Sequence, residues 1–394
     1  ARKNDIAASI FTAVVNQTVS GLSQGRRIEG KVVYLGGPLY FLSELRKAFD
    51  KGLGVTGTCP ENGLYFVALG AAFSSDGAAI DIRSITEKIK NAKESGEYLG
   101  AKPLFNSKEE YDEFSARHAK DSIEDHCIID KGEKVYIGID AGSTTVKAAV
   151  INKDGRIVCS RYMSNNGDPV SLIKSFLEDF YKEYPDAVIA SSAVTGYGED
   201  IIKNAFAVDI GLVETVAHFT AAKRFKPDVD FIIDIGGQDV KGIAIDTDGT
   251  VKNFAMNDKC AAGTGRFFEA MANAFEMSLP DFCKLSLQAK NTIPITAQCT
   301  VFAESEVISL VGEGKPMDEI AAGIQLAVAK RCFVMAKKAG ATDSITLTGG
   351  CAKNEGLKRA IEHVLKIKVV DLPIDPQLMG ALGAAEYARQ KGMA

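Results

Sequence analysis

Two cysteines stand directly before helical patterns in this sequence, Cys260 and Cys299. Apolar residues follow each of them at the three- to four-residue spacing of one helix face. These are Phe267, Met271 and Phe275 after the first, and Ala303, Val307, Leu310 and Val311 after the second. A helix start carries partial positive charge, which favours a thiolate. Both cysteines are therefore candidate metal ligands, and the alternative is that each is a small buried apolar side chain.

The number of cysteines bears on assembly. An iron–sulfur cluster held by thiolates needs four of them, whereas one chain offers only Cys260 and Cys299 at equivalent positions. If these residues are ligands, a two-fold symmetric dimer with one cluster on its axis completes the set, with two cysteines from each subunit.

Two glycine-containing turns could bind phosphate, and each follows an aspartate that ends an apolar strand. Asp140 precedes Gly142-Ser143-Thr144-Thr145, where backbone N–H groups and hydroxyls can face phosphate oxygens while Asp140 holds a magnesium-bound water. Asp234 lies 94 residues later and precedes Gly236-Gly237-Gln238. A plain hairpin explains either turn alone, but two such turns predict pseudo-symmetric halves around a nucleotide cleft.

A third glycine turn follows the strand that ends near Thr348. Gly349 and Gly350 lead through Asn354 into a predicted helix, and glycine lets the backbone approach a base or ribose closely. None of the three turns has the GxxxxGK[ST] pattern of a P-loop.

Composition limits the class of protein. The chain has 394 residues, 46% of them hydrophobic, which predicts two or three domains. No run approaches the roughly 20 apolar residues of a membrane span, and eight cysteines without regular spacing favour a reducing, cytoplasmic compartment. A net charge of −5 argues against general nucleic-acid binding. The four scattered histidines form no zinc pattern and are expected to be surface or packing residues.

An internal repeat divides the chain. Gly36-Gly37 returns as Gly349-Gly350, and Ala68-Leu69-Gly70-Ala71-Ala72 returns as Ala381-Leu382-Gly383-Ala384-Ala385, both 313 residues later. The repeat predicts a truncated C-terminal part of a first module in residues 1–75, a helical linker or spacer in 76–133 and a complete module in 134–394. We accordingly expect a fragment of a longer tandem protein. An independent small α/β domain that happens to carry a Gly-Gly turn is the alternative.

The three turns resemble the two phosphate loops and the adenosine loop of the superfamily of acetate and sugar kinases, heat-shock chaperones and actin. Asn257–Arg266 together with Cys299–Glu306 resembles one branch in particular, the iron–sulfur ATPases that activate 2-hydroxyacyl-CoA dehydratases and the related benzoyl-CoA reductase ATPase subunits (the BadF/BadG/BcrA/BcrD type). The resemblance covers residues 134–394. It implies an α/β, actin-like ATPase (ribonuclease H-like) fold, with residues 134–231 plus the C-terminal helix as one half and 232–375 as the other.

The resemblance also implies roles for individual residues. The catalytic set is Asp140 and Asp234, on magnesium and the attacking water, with Gln238 at the γ-phosphate. Cys260 and Cys299 would hold a [4Fe–4S] cluster shared between two subunits. The implied nucleotide-binding residues are Gly142, Ser143, Thr144, Thr145, Lys147, Gly236, Gly237, Gly263, Gly265, Gly349, Gly350 and Asn354.

The function implied by the resemblance is ATP-driven, low-potential transfer of single electrons to a 2-hydroxyacyl-CoA dehydratase or a related CoA-thioester reductase component. Reduced ferredoxin or flavodoxin would be the electron donor, and the activator would be a cytoplasmic homodimer without nucleic-acid or membrane partners. A small-molecule kinase of the same superfamily is one alternative, but it leaves the paired cysteines unexplained. A non-enzymatic iron–sulfur scaffold or regulator is the other, and it has no need of both phosphate aspartates.

Overall fold

The computed structural model describes residues 2–23, 28, 30–75, 77, 81–87, 102–119, 126–246, 250–257, 260–296, 299–341 and 343–393. Contacts between residues divide the chain into two units, Ala1–Gly96 and Glu97–Ala394. Asp258, Lys259 and Gln298, which belong to the cysteine motifs, lie outside the described residues.

A five-stranded sheet opens the second unit. Its strands are β1 (Lys134–Ala141), β2 (Thr145–Asn152), β3 (Ile157–Ser164), β4 (Val188–Thr195) and β5 (Ile210–Gly211). The order across the sheet is β3-β2-β1-β4-β5, with β2 antiparallel and β4 parallel to β1. Every residue of β1 after the first is buried, as expected for a central strand covered on both faces.

A four-stranded sheet repeats this pattern in the second half of the unit. Its strands are β6 (Phe231–Ile235), β7 (Val240–Ile245), β8 (Val251–Asn257) and β9 (Ile345–Thr348). The order is β8-β7-β6-β9, with β7 antiparallel and β9 parallel to β6. The central strands β1 and β6 therefore have matching neighbours, and the predicted pseudo-symmetric α/β fold is confirmed.

Helices cover both sheets, and they form the regular structure of the first unit as far as its residues are described. They are α1 (Lys3–Ser23), α2 (Gly37–Phe41), α3 (Ser43–Leu53), α4 (Phe66–Phe73), α5 (Lys108–His118), α6 (Pro169–Glu183), α7 (Glu199–Phe206), α8 (Glu214–Phe225), α9 (Gly265–Ala274), α10 (Leu279–Leu285), α11 (Thr300–Gly312), α12 (Met317–Ala339), α13 (Glu355–Leu365) and α14 (Met379–Gly392). Residues 82–87 are also helical. None of the described helices combines the length and apolar character needed to cross a membrane.

The C-terminal helix α14 packs on the first sheet at very close range. A Cβ atom added at Gly138 in β1 would lie 2.0 Å from the carbonyl oxygen of Ala381, and one added at Gly383 would lie 1.8 Å from that of Ala217. Real Cβ atoms do not approach backbone so closely, so only glycine fits at these two positions. Helix α14 thereby closes the half of the unit that begins with β1.

The first unit has a small core of its own, formed by Val15, Tyr34, Leu45 and Phe49. Four of its described elements follow the order of α12, β9, α13 and α14 in the second unit: the long helix α1, an extended bridge residue (Val33, paired with Thr58), and the helices α3 and α4. Helix α4 leaves Val67 and Phe73 87% exposed, whereas the matching part of α14 is buried. The module boundaries inferred from the repeat stay a prediction.

Part of the predicted spacer belongs to the second unit. Helix α5 begins at a Ser107 cap, whose side chain accepts a hydrogen bond from the backbone N–H of Glu110. Leu104 and Phe114 lie in the same buried cluster as β6 and α12. The charges of this segment are not simply a solvated surface, because Glu110, Arg117 and His118 pair with Arg359, Glu362 and Asp371.

Candidate functional site

A cavity of about 970 Å³ opens where the central strands of both sheets end. It collects many of the residues that the sequence singled out, from three separate stretches of chain. Those in its wall are Asp140, Thr144, Thr145, Lys147, Asp234, Gly236, Gly237, Gly265, Gly349, Gly350 and Asn354. The three glycine turns therefore face one space.

Asp140, at the end of β1, forms an ion pair with Lys147 across the β1–β2 hairpin. The two residues are direct partners in the antiparallel register, and the Lys147 Nζ atom donates to Asp140 Oδ2 at 3.0 Å. Burial disfavours the charged ammonium, but attraction to Asp140 and Asp234 outweighs it and raises the pKa of Lys147. The site thus holds a fixed cation beside a buried carboxylate.

Asp234 occupies the corresponding position at the end of β6. Thr348 Oγ1, on the parallel strand β9, donates a hydrogen bond to Asp234 Oδ1 at 2.8 Å. Burial opposes ionisation of this carboxyl, but electrostatic interaction with His218 and Lys241, together with the Thr348 hydrogen bond, lowers its pKa. Asp234 is therefore held as a carboxylate at neutral pH.

Lys241, Glu214 and His218 join Asp234, and sequence reasoning missed all three. Lys241 Nζ lies 3.6 Å from Asp234 Oδ2, 3.1 Å from Glu214 Oε1 and 2.7 Å from Asp239 Oδ2. His218 is buried, as a packing histidine would be, but it also lies in the cavity wall with Nδ1 3.8 Å from Asp234 Oδ1. One sequence feature could have revealed Lys241, since it follows Asp234 at the same seven-residue spacing as Lys147 follows Asp140.

Glu214, His218 and Asp234 could also hold a metal ion. One potential ligand atom from each lies within 4.8 Å of the others. Burial raises the pKa of Glu214 against the attraction of Lys241 and His218. In the structure as it stands, Lys241 supplies the positive charge among these groups.

The turns touch one another as well as the cavity. A Cβ added at Gly237 would meet the Thr144 side chain at 2.5 Å, so the two phosphate-type turns are in contact. Gly349 has a left-handed backbone (φ +82°), and a Cβ there would lie 2.3 Å from the carbonyl oxygen of Ile235. Glycine is required at Gly349 because the backbone at the end of β6 leaves no room for a Cβ atom, whereas at Gly237 the Thr144 side chain would have to move.

Four of the predicted catalytic and nucleotide-binding residues are not in the wall formed by the described residues. Gly142 and Ser143 lie in the β1–β2 hairpin turn, and the Ser143 side chain is exposed. Gln238 is exposed in the β6–β7 turn. Gly263 precedes α9 with φ +95°, where an added Cβ would meet Arg331 at 3.2 Å, so it lies on the cysteine side.

Cys260 and Cys299 are both exposed. Cys299 is the N-cap of α11, as the sequence predicts. Cys260 differs, because α9 begins only at Gly265 and the cysteine lies in the preceding turn. There its sulfur accepts the backbone N–H of Ala262 at 3.4 Å, so the stabilising donor is a turn amide instead of a helix end.

Arg331, on α12, connects the two cysteines electrostatically. Burial lowers the pKa of its guanidinium, and electrostatic interaction with the nearby sulfurs of Cys260, Cys332 and Cys299 acts in the opposite direction. The guanidinium also lies 5.2 Å from the centre of the Phe267 ring in α9. Cys260 and Cys299 thus lie within electrostatic range of one cation, and the helices that follow them, α9 and α11, pack against each other.

The phosphate-type turn of β6 is bonded directly to the start of the cysteine helix α9. Gly265 N–H donates to the Gly236 carbonyl at 2.9 Å, and Arg266 N–H donates to the Gly237 carbonyl at 3.0 Å. The first two amides of α9 therefore follow any displacement of this turn.

Comparison with known proteins gives a consistent result. The sequence model of the BadF/BadG/BcrA/BcrD ATPase family matches residues 137–388. The chain is 42% identical over 257 residues to an activator of lactoyl-CoA dehydratase from Anaerotignum propionicum, covering 64% of this chain and 96% of that protein. It is 39% identical over 259 residues to the (R)-2-hydroxyglutaryl-CoA dehydratase activating ATPase of Acidaminococcus fermentans, covering 65% and 97%.

Two solved structures resemble the chain in fold and sequence. Component A of the Acidaminococcus fermentans (R)-2-hydroxyglutaryl-CoA dehydratase gives a TM-score of 0.61 at 38% identity and covers 66% of this chain and 99% of its own. The activator of 2-hydroxyisocaproyl-CoA dehydratase from Clostridium difficile, with bound ADPNP, gives 0.60 at 37% identity and covers 66% and 96%.

Proposed function

The chain belongs to the BadF/BadG/BcrA/BcrD ATPase family, and from that premise we propose that it is an ATP-hydrolysing iron–sulfur activator of a 2-hydroxyacyl-CoA dehydratase or a related CoA-thioester reductase component. One observation carries the proposal. The glycine turn that faces the cavity is hydrogen-bonded through Gly236 and Gly237 to the first residues of the helix that follows Cys260. A movement of this turn on phosphate binding would therefore be transmitted to the segment that follows Cys260 through backbone hydrogen bonds.

Asp140, Asp234 and Lys147 would carry the chemistry at the phosphate. Carboxylate oxygens are the ligands that Mg²⁺ prefers, and the lowered pKa of Asp234 keeps that group ionised. Lys147 would balance charge on the phosphoryl oxygens, while the Thr144 hydroxyl and the Gly237 amide would bind them. The Gly236 amide donates to the Asp239 carbonyl at 2.9 Å and so fixes the shape of the turn. This is catalysis by positioning and electrostatics, as phosphoryl transfer requires.

Gln238 would orient the attacking water. It lies in the same turn as Gly236 and Gly237, and its side chain is exposed to solvent. Movement of this turn toward the nucleotide would bring the side-chain amide of Gln238 to the cavity, since catalytic contacts often tighten only in the complex.

Cys260 and Cys299 would hold a [4Fe–4S] cluster together with the same two residues of a second subunit. The fit rests on the donors themselves: both thiols are exposed, each has a backbone N–H or helix start beside it, and the Arg331 guanidinium lies in range of both. When bound, the cluster supplies a centre that carries one electron. A shared site would make the activator a homodimer.

ATP binding and hydrolysis would then control these ligands. Closure of the two sheet halves around the nucleotide would displace the β6–β7 turn, and with it Gly265 and Arg266 at the start of α9. The turn that carries Cys260 would move relative to α11. Docking to the dehydratase component, and delivery of an electron received from reduced ferredoxin or flavodoxin in the cytoplasm, would depend on that movement.

Anaerobic preparation of the full chain tests the proposal. We expect about four irons per two chains, a broad visible absorption that reduction bleaches, and a reduced-state electron spin resonance signal. Cys260→Ser should lose the iron and the dimer together, while Cys159→Ser, a half-buried cysteine in β3, should keep both. A colourless, iron-free monomer of wild-type protein that still hydrolyses ATP would reduce the proposal to a plain ATPase.

A further inference from the structure

The segment Lys102–Ala119 precedes the part of the chain that matches the family, residues 137–388, and yet it packs into the ATPase unit. Phe105 and Phe114 are buried in the core cluster of the second sheet, with their ring centres 5.2 Å apart. Arg359 Nε, on α13, donates to the Leu104 carbonyl at 2.9 Å. Burial of apolar side chains and the hydrogen bond from Arg359 to the backbone of Leu104 thus hold the segment in place.

Paired charges fix helix α5 against α13 and the chain after it. Both carboxylate oxygens of Glu362 accept from Arg117 Nη2, at 2.8 Å each. His118 pairs with Asp371, which also accepts from Lys358 Nζ at 2.6 Å. Such charge-assisted contacts define one orientation of the helix, and they determine which of its residues face the cavity.

Tyr111 is the residue of α5 that reaches the cavity wall. Its hydroxyl donates to Glu355 Oε2 at 3.1 Å, and Glu355 is the first residue of α13, directly after Asn354 of the glycine turn. The Tyr111 ring is half-buried and meets the Phe105 ring edge-on at 5.2 Å. Tyr111 therefore lies beside the turn expected to hold the nucleoside.

One part of the cavity wall is polar and another is apolar, and these two parts suit the two ends of a nucleotide. Lys147, Thr144 and Gly237 provide the cation, hydroxyl and amides suited to phosphates. The wall also contains the apolar side chains of Leu279, Cys283 and Leu287, which pack on the same core cluster as Tyr111. A flat, uncharged base matches this apolar group, and an aromatic ring adds a face for it to stack on.

We propose that Tyr111 is a nucleoside-binding residue, whose ring forms part of the wall against which the base of the bound purine nucleotide packs. The inference rests on the proposed function, because it assumes that the cavity binds ATP. It adds that a segment outside the family match completes the base subsite. Nucleotide affinity then depends on α5 being docked.

Calorimetric titration of the full chain with Mg·ADP and with Mg·pyrophosphate separates base contacts from phosphate contacts. Tyr111→Ala should weaken ADP binding about tenfold or more, from lost stacking, and leave pyrophosphate binding unchanged. Tyr111→Phe keeps the ring and should stay within about threefold of wild type for ADP. Tyr181→Ala, a partly exposed tyrosine on α6, is the matched control and should change neither.

Equal ADP affinity in wild type and Tyr111→Ala would overturn the inference, as would an equal loss of ADP and pyrophosphate binding. Failure of the wild-type chain to bind ADP at all would instead reject the proposed function. Photolabelling of wild type with 2-azido-ADP needs no substitution and so stands even if Tyr111→Ala fails to fold. The label should appear in the peptide that contains Tyr111, and its absence there, with labelling elsewhere in the cavity, contradicts the proposal.

Discussion

At the scale of single residues, the site is built on two aspartate–lysine pairs. Asp140 faces Lys147, and Asp234 faces Lys241, each at the same position of an antiparallel hairpin. The surroundings differ, because Lys241 lies among three carboxylates whereas Lys147 has its one salt-bridge contact with Asp140 among the described residues. Lys147 is therefore the cation better placed to exchange its partner for a phosphate.

Replacing Asp140 with asparagine should abolish most ATP turnover. The change removes a buried negative charge while keeping the shape, and loss of one electrostatic contributor of this kind lowers kcat by about 10²- to 10³-fold. Steady-state phosphate release checks this. Asp186→Asn is the control, because that carboxylate is half-exposed and forms an ion pair with Lys131 at 3.3 Å, and it should keep wild-type turnover. A fully active Asp140→Asn chain would remove Asp140 from the catalytic set.

Thiol reactivity should divide the cysteines into classes. Alkylation of the metal-free chain, followed by mass spectrometry, should modify the exposed Cys260 and Cys299 first and the buried Cys332 and Cys351 last. Burial raises the pKa of Cys283 to about 11. Because the thiolate is the reactive form, modification of Cys283 should accelerate about tenfold for each pH unit between pH 7 and 9. Rapid labelling of Cys332 or Cys351 in the folded protein would contradict the described core.

At the scale of elements, α5 shows how a helix outside the sheets can join a site. Its anchoring groups respond to pH in opposite directions. Burial disfavours the charged form of His118, but its contacts with Asp371 and Glu362 prevail over this and over Lys358, and they raise its pKa from 6.5. Contacts with His118 and basic neighbours lower the pKa values of Asp371 and Glu362, in spite of burial.

Docking of α5 should accordingly weaken in mild alkali. A group whose folded-state pKa is raised contributes its full stability below the unfolded value, here 6.5, and loses it as the pH rises through the folded value. The two carboxylates contribute above their usual pKa values and lose their effect only in acid. Hydrogen exchange of residues 108–118, corrected for intrinsic rates, should show less protection at pH 8.5 than at pH 6.

The control for this experiment is His118→Gln, which keeps a hydrogen-bonding side chain but cannot take up a proton in this range. The variant should lose the difference in protection between the two pH values. Helix α6 should show no pH dependence of protection in either protein. A wild-type α5 equally protected at both pH values would contradict the role assigned to His118.

At the scale of the whole molecule, the repeated helix has two different environments. Along α14 the repeat residues are buried against β1 and α8, whereas α4 has no buried residue. Exposed apolar side chains in a contiguous group favour association and dye binding. The same local sequence therefore stabilises one unit and leaves an apolar surface on the other.

Charged substitutions on α4 should reduce that surface without affecting the ATPase unit. Val67→Glu and Phe73→Glu together should lower the fluorescence of bound anilinonaphthalene sulfonate and reduce self-association in sedimentation. ATP turnover should stay unchanged, because neither residue lies in the second unit. Unaltered dye binding by the double variant would show that α4 is covered in solution.

Much of this architecture could be predicted from the sequence because its determinants are local. An apolar run ending in Asp-x-Gly specifies a strand and its turn wherever it occurs, so the sequence predicts that Asp140 and Asp234 lie at strand ends. The roles of Glu214 and His218 could not be predicted, because α8 brings them to Asp234 only through tertiary packing. The docking of α5 could not be predicted either. Arg117 and Glu362 are 245 residues apart, and no sequence pattern on either helix indicates that the two helices contact each other.

The close packing of α14 on β1 has a consequence for folding during protein synthesis. Gly138 leaves the ribosome early and Gly383 late, so the central strand of the first sheet emerges long before the helix that covers it. Until then one face of that sheet has only solvent or a chaperone against it. Nascent chains halted before Met379 should accordingly be sensitive to protease throughout residues 134–164, and should become resistant once α14 has emerged from the ribosome.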